Sequence, residues 1–101
     1  SAEMQQAIAY TFELRELYNQ YHKRGLEIYS VSLNRNRLAW QDAAANLPWT
    51  TVQLDENTAT SVLMRYNVQA LPTIFLLDKK GNVQGRYADF ATLEADIRKY
   101  L

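Results

Sequence analysis

Apolar residues recur every three or four positions at the start of the chain. Met4, Ile8, Thr11, Leu14, Tyr18 and Tyr21 share one face, with Ala7 and Leu17 beside them. That period predicts an amphipathic helix over residues 4–24. Its other face carries Gln6, Glu13, Glu16, Gln20 and Lys23, and Lys23-Arg24-Gly25 supplies cations and then a glycine where the helix should stop. Leu26 to Leu33 (LEIYSVSL) reads as a strand, short and rich in β-branched and aromatic residues. Asn34 or Asn36 can cap a short helix to about Ala45, which Asn46, Leu47 and Pro48 end.

Trp49 to Leu54 (WTTVQL) is a second extended piece, expected at a sheet edge. Asp55 to Thr58 can cap a helix to about Tyr66, with Ala59, Val62, Leu63 and Tyr66 on one face. Thr73 to Leu77 (TIFLL) is the most apolar strand. Asp78-Lys79-Lys80-Gly81-Asn82 reads as a hairpin loop leading into an antiparallel strand, Val83 to Tyr87. Asp89 can cap a last helix with Phe90, Leu93, Ile97 and Leu101 as its stripe. Helices alternating with strands argue an α/β layered domain. The expected sheet contains residues 26–33, 73–77 and 83–87, with a weaker contribution from 50–54.

With 101 residues the chain is one domain at most. Its 48% hydrophobic and 22% charged residues suit a globular chain rather than a disordered one. Eleven basic residues balance eleven acidic ones, so no positive field attracts nucleic acid. No apolar run is long enough to span a membrane. Ser1 to Gln6 has neither a basic start nor an apolar core, so it does not read as a signal peptide. The chain has no cysteine, which removes disulfides, thiolate nucleophiles and sulfur-ligated metals from these residues. One histidine, His22, excludes multi-histidine metal sites. No cofactor and no metal is expected.

Leu14 to Leu33 (LRELYNQYHKRGLEIYSVSL) resembles the first helix and following strand of thioredoxin-like proteins. The nearest resemblance is to cell-envelope thiol–disulfide oxidoreductases of the cytochrome-maturation type. Residues 68–87 (VQALPTIFLLDKKGNVQGRY) are similar to that family's second half: a Leu-Pro-Thr turn, a strand, an Asp-x-x-Gly hairpin and a return strand. The insert Asn34 to Asp55 fits the envelope subfamily. The resemblance implies a thioredoxin-like α/β fold, a mixed sheet flanked by helices. It also implies a central strand before the first helix, and no counterpart of that strand stands in the 101 residues. The reading is therefore a single thioredoxin-like domain over 1–101 that is N-terminally incomplete, partly ordered, or completed by a borrowed strand through oligomerisation or strand exchange.

The family's active site is Cys-x-x-Cys at the start of the first helix, where the helix N-terminus stabilises a thiolate. A gapless register from Leu14 and Gly25 places this motif on Met4-Gln5-Gln6-Ala7, where Met4 and Ala7 stand in for the cysteines. A second register matches Ala2-Glu3-Met4 to the Ala-Glu-Met that follows the family motif. The resolving cysteine would then precede Ser1, and Glu3 would match the family's proton-managing glutamate. By the same resemblance, Pro72 follows a cis peptide bond and Leu71 presents its backbone to a bound peptide. The residues alone give an ordinary trans proline before a strand.

Other candidates have plainer readings. His22 is a helix-end histidine. Trp40 and Trp49 are packing residues or an aromatic binding surface. Tyr10, Tyr18 and Tyr21 pack their rings and wet their hydroxyls. Glu13 and Glu16 form a solvated face, and Arg35/Arg37 and Lys79-Lys80 are surface charges. Two functions follow. One is a redox-inactive binding or structural module of the cell envelope or periplasm, with a peptide groove at Leu71-Pro72. The other is part of a thiol–disulfide oxidoreductase whose Cys-x-x-Cys lies upstream of Ser1.

Overall fold

The computed structural model describes residues 1, 2 and 4–101. Four helices and four strands follow in the order α1 (Ala2–Tyr21), β1 (Tyr29–Ser32), α2 (Arg37–Ala45), β2 (Thr50–Gln53), α3 (Glu56–Arg65), β3 (Ile74–Leu77), β4 (Val83–Tyr87) and α4 (Phe90–Tyr100). A 3-10 turn, His22–Arg24, extends α1. The chain divides into two units: residues 1–26 with 72–101, and residues 27–71.

The sequence's short polar residues start the helices. Asn36, Asp55 and Asp89 accept the backbone N–H of Ala39, Thr58 and Thr92 and so cap α2, α3 and α4. Gly25 ends the first helical stretch at φ 114°, and Leu26 N–H closes onto the Tyr21 carbonyl at 3.2 Å. That bond commits Leu26 to the cap, which is why the strand predicted from Leu26 begins only at Tyr29. Asn67 ends α3 in the same way, at φ 52°, with Val68 N–H donating to the Leu63 carbonyl at 2.8 Å.

In the first unit, β3 and β4 pair antiparallel, Ile74 opposite Tyr87 and Phe75 opposite Arg86. Asp78 organises the turn between them. Its Oδ1 accepts from Lys80 and Asn82 N–H and its Oδ2 from Gln84 Nε2, each at 2.9 Å. Gly81 supplies the expected positive φ, 86°. Leu17, Tyr21, Tyr87, Leu93 and Ile97 form the core, with Leu26, Ile74, Leu76 and Phe90 packed against it.

Tyr21 is fully buried, and its hydroxyl is not wetted as the sequence reading expected. It donates to Glu94 Oε1 at 2.8 Å and accepts from Arg98 Nε at 2.7 Å. The predicted α1 stripe is buried only in its C-terminal half. Met4 and Ile8 are exposed, because core partners for α1 begin where Tyr10 meets Phe90 at 5.3 Å.

Tyr87 lies back over Gly85, two residues earlier on the same face of β4. A Cβ at position 85 would stand 2.6 Å from the Tyr87 hydroxyl oxygen and 2.9 Å from the ring. That hydroxyl donates to Asp96 Oδ2 at 2.6 Å, so the ring is held at both ends. The Asp96 hydrogen bond, together with burial, pushes the Tyr87 phenol up to about 12. Gly85→Ala must therefore break the Tyr87–Asp96 bond or bend β4. A lower denaturation midpoint is expected, while the same change at Gly81, which has open space around it, should act through backbone strain alone.

In the second unit, β1 and β2 pair in parallel, Tyr29 opposite Thr50 through Ser32 opposite Gln53. Trp49 is buried, and its indole N–H donates to Ser30 Oγ at 2.7 Å. The 50–54 segment is thus the full partner of β1 rather than a weak contributor. The expected single sheet is instead two two-stranded sheets, β1–β2 and β3–β4. The physical reason is local. The strand that the resemblance would place beside β1 and β3 has no counterpart among these residues, so each keeps one edge outside a ladder.

Hydrogen bonds lower the carboxyl pKa of Asp55, Asp78, Asp89 and Asp96. A carboxylate whose native pKa is depressed stabilises the fold above its unfolded value and loses that contribution as pH falls through the native value. Stability should therefore be level above about pH 5 and decline below about pH 4. Asp89→Asn keeps a good cap but removes the titration. Chemical denaturation at pH 7 and pH 3 should show a smaller difference for this variant than for the parent.

Candidate functional site

The N-terminal end of α1 holds the residues that the gapless register aligns with a dithiol. Ser1 Oγ accepts Met4 N–H at 3.1 Å and caps the helix. Met4 is the third helical residue and Ala7 the sixth, and both are exposed. Neither can form a thiolate. The first-turn N–H groups that would lower a thiol's pKa have no ionisable sulfur to act on. The Glu3 side chain, named in the second register, lies outside the described residues.

Leu71 and Pro72 lead into β3. Leu71 is 64% exposed and Pro72 is also exposed. Among the described residues the Leu71 backbone makes no hydrogen bond. An exposed backbone with free donor and acceptor next to a strand can pair with an extended chain, which then contributes main-chain bonds. No hydrogen bond, ion pair or ring contact among the described residues joins Met4 or Ala7 to Pro72. Met4, Ala7, Leu71 and Pro72 are each exposed.

A shallow depression of about 170 Å³ opens in the second unit, past the carboxyl ends of β1 and β2. Leu33, Leu54, Ala59 and Leu63 line it, and Arg35 and Glu56 pair at 2.9 Å over it. Both side chains are well exposed, so this pair adds little stability. In sequence, Arg35 and Arg37 read only as a pair of surface charges. The partner of Arg35 lies 21 residues away, and no local pattern announces that pairing.

His22 stacks on Tyr18 at 4.3 Å. Its Nδ1 lies 3.2 Å from the Leu26 carbonyl, to which it donates, leaving Nε2 to accept the Tyr18 hydroxyl at 3.3 Å. This is a helix-end histidine engaged with its own turn. Among the described residues no group of three or more His, Asp or Glu side chains could hold a metal ion. Among the described residues no helix is long and apolar enough to cross a membrane.

Comparison with known proteins adds the ancestry of this arrangement. Residues 2–83 match the profile of a family described as thioredoxin-like. The chain is 36% identical over 89 residues to the thiol-disulfide oxidoreductase ResA of Geobacillus kaustophilus, covering 87% of this chain and 49% of that protein. It is 30% identical over 91 residues to human nucleoredoxin, covering 86% of this chain and 21% of that protein. Among solved structures, an uncharacterized thioredoxin-like protein from Bacteroides vulgatus superposes with a TM-score of 0.82 at 35% identity, covering 93% of this chain and 62% of the other. The thioredoxin domain of a thiol-disulfide oxidoreductase from the same organism gives 0.79 at 27% identity, over 89% and 66%. The chain spans about half the length of the ResA relatives it matches.

Proposed function

The chain belongs to the thioredoxin-like family, and from that premise we propose that these residues form a thiol-free polypeptide-binding module of the cell envelope or periplasm. One observation carries the reading: an exposed Leu71–Pro72 segment with an unbonded Leu71 backbone opens into β3, in residues without a single cysteine. An extended polypeptide lies along this segment and is held by backbone hydrogen bonds and by the Leu71 side chain. The Leu71–Pro72 peptide bond is cis in this reading. The free edge of β1 or of β3 takes a further strand, from the same protein or from a second copy. The envelope location rests on kinship with ResA-type oxidoreductases.

A second reading is a thiol–disulfide oxidoreductase whose Cys-x-x-Cys precedes Ser1. A specific observation favours it: the chain spans about half the length of the thiol-disulfide oxidoreductase ResA relatives it matches, and the aligned positions Met4 and Ala7 carry no thiol. Insulin reduction by the full-length protein, with thiol alkylation read by mass, separates the two. The binding-module reading expects no turnover above that of dithiothreitol alone and no alkylated cysteine. Turnover together with two alkylated cysteines ends it in favour of the second.

A further inference from the structure

Sulfur enters these residues only as two thioethers, Met4 and Met64. Both are exposed, Met4 at 64% and Met64 at 77%. Met4 projects from the first turn of α1. Met64 lies one residue before the end of α3, and only its backbone is engaged in the fold described above, its carbonyl accepting from Asn67 N–H at 3.2 Å. Neither side chain belongs to the core cluster. Methionine oxidation usually damages a protein because the polar sulfoxide replaces an apolar side chain in a packed interior. At these two positions there is no packed interior to disturb.

We propose that Met4 and Met64 are native-state oxidation sites, converted to sulfoxides by peroxide-type two-electron oxidants while the fold stays intact. The thioether sulfur attacks one peroxide oxygen and gives up an electron pair. The O–O bond breaks, a sulfur–oxygen bond forms, and the second oxygen leaves as water with both hydrogens. Sulfur is oxidised and peroxide is reduced, with no need for a thiol. At Met4 the product changes a surface as well as an atom. Met4, Ile8 and Phe12 follow each other at four-residue intervals, and all three are more than half exposed. A sulfoxide places a polar acceptor at one end of that apolar stripe.

The test is hydrogen peroxide treatment of the full-length protein, native and unfolded in urea, with peptide mapping of each methionine. Exposure at this level predicts native rates within about threefold of the unfolded rates at both sites. Near-ultraviolet circular dichroism should be unchanged after both have reacted. Met4→Leu and Met64→Leu should each remove one oxygen adduct. Slower reaction than this at either methionine in the native protein, or loss of the tertiary signal on oxidation, overturns the proposal.

Discussion

Tyr21→Ala is expected to destabilise the fold by about 3–5 kcal/mol, the range for removing a buried aromatic ring. Tyr21 has no exposed surface and is the largest fully buried side chain among the described residues. Its ring fills the space among Leu17, Tyr87, Leu93 and Ile97, so truncation leaves a cavity where α1 meets α4 and β4. The loss is also polar. The Tyr21 hydroxyl stands between Glu94 and Arg98, and its removal leaves those groups with only a longer direct contact of 3.4 Å. Tyr21→Phe separates the two parts. It keeps the ring and should cost about 1–3 kcal/mol, as expected for hydrogen bonds to charged partners. Equilibrium urea denaturation of both variants checks the ordering. A Tyr21→Phe loss as large as that of Tyr21→Ala would mean that the hydroxyl network, and not the ring, dominates this junction.

How much of this was legible in the residues depends on distance along the chain. The caps at Asn36, Asp55 and Asp89 act over three residues, and each was readable from a polar residue before an apolar period. The left-handed turn at Gly81 was readable for the same reason. Asn67 takes a left-handed conformation too, but asparagine signals it more weakly than glycine, and the end of α3 showed no other mark. Tyr21 and Glu94 are 73 residues apart, so nothing local distinguished a buried tyrosine from the wet-tipped kind.

The α1 stripe misled for a related reason. Periodicity marks which residues could be buried, but a partner decides which are, and Met4 and Ile8 have none among the core residues. Sheet membership was the least legible feature, because strand pairing is settled by neighbours and not by the strand's own residues. At the candidate site, Met4, Ala7, Leu71 and Pro72 were found by register against a family pattern. Their exposure, and the unbonded Leu71 backbone, came only with the fold.

The second large effect concerns docking at that segment. Leu71 offers an exposed apolar side chain beside a free backbone, and a peptide strand laid against it would bury the side chain and pair the backbone. Leu71→Asp puts a charge where the peptide's apolar side must settle, at a residue outside the core, so the unfolding midpoint should stay near that of the parent. The most direct measurement is a fluorescence anisotropy titration of a labelled, cysteine-free extended peptide into full-length protein whose thiols, if any, are first alkylated. Binding should survive alkylation and weaken by at least about tenfold, or about 1.4 kcal/mol, in Leu71→Asp. Absence of binding, or binding indifferent to Leu71→Asp, would contradict a docking role for these residues.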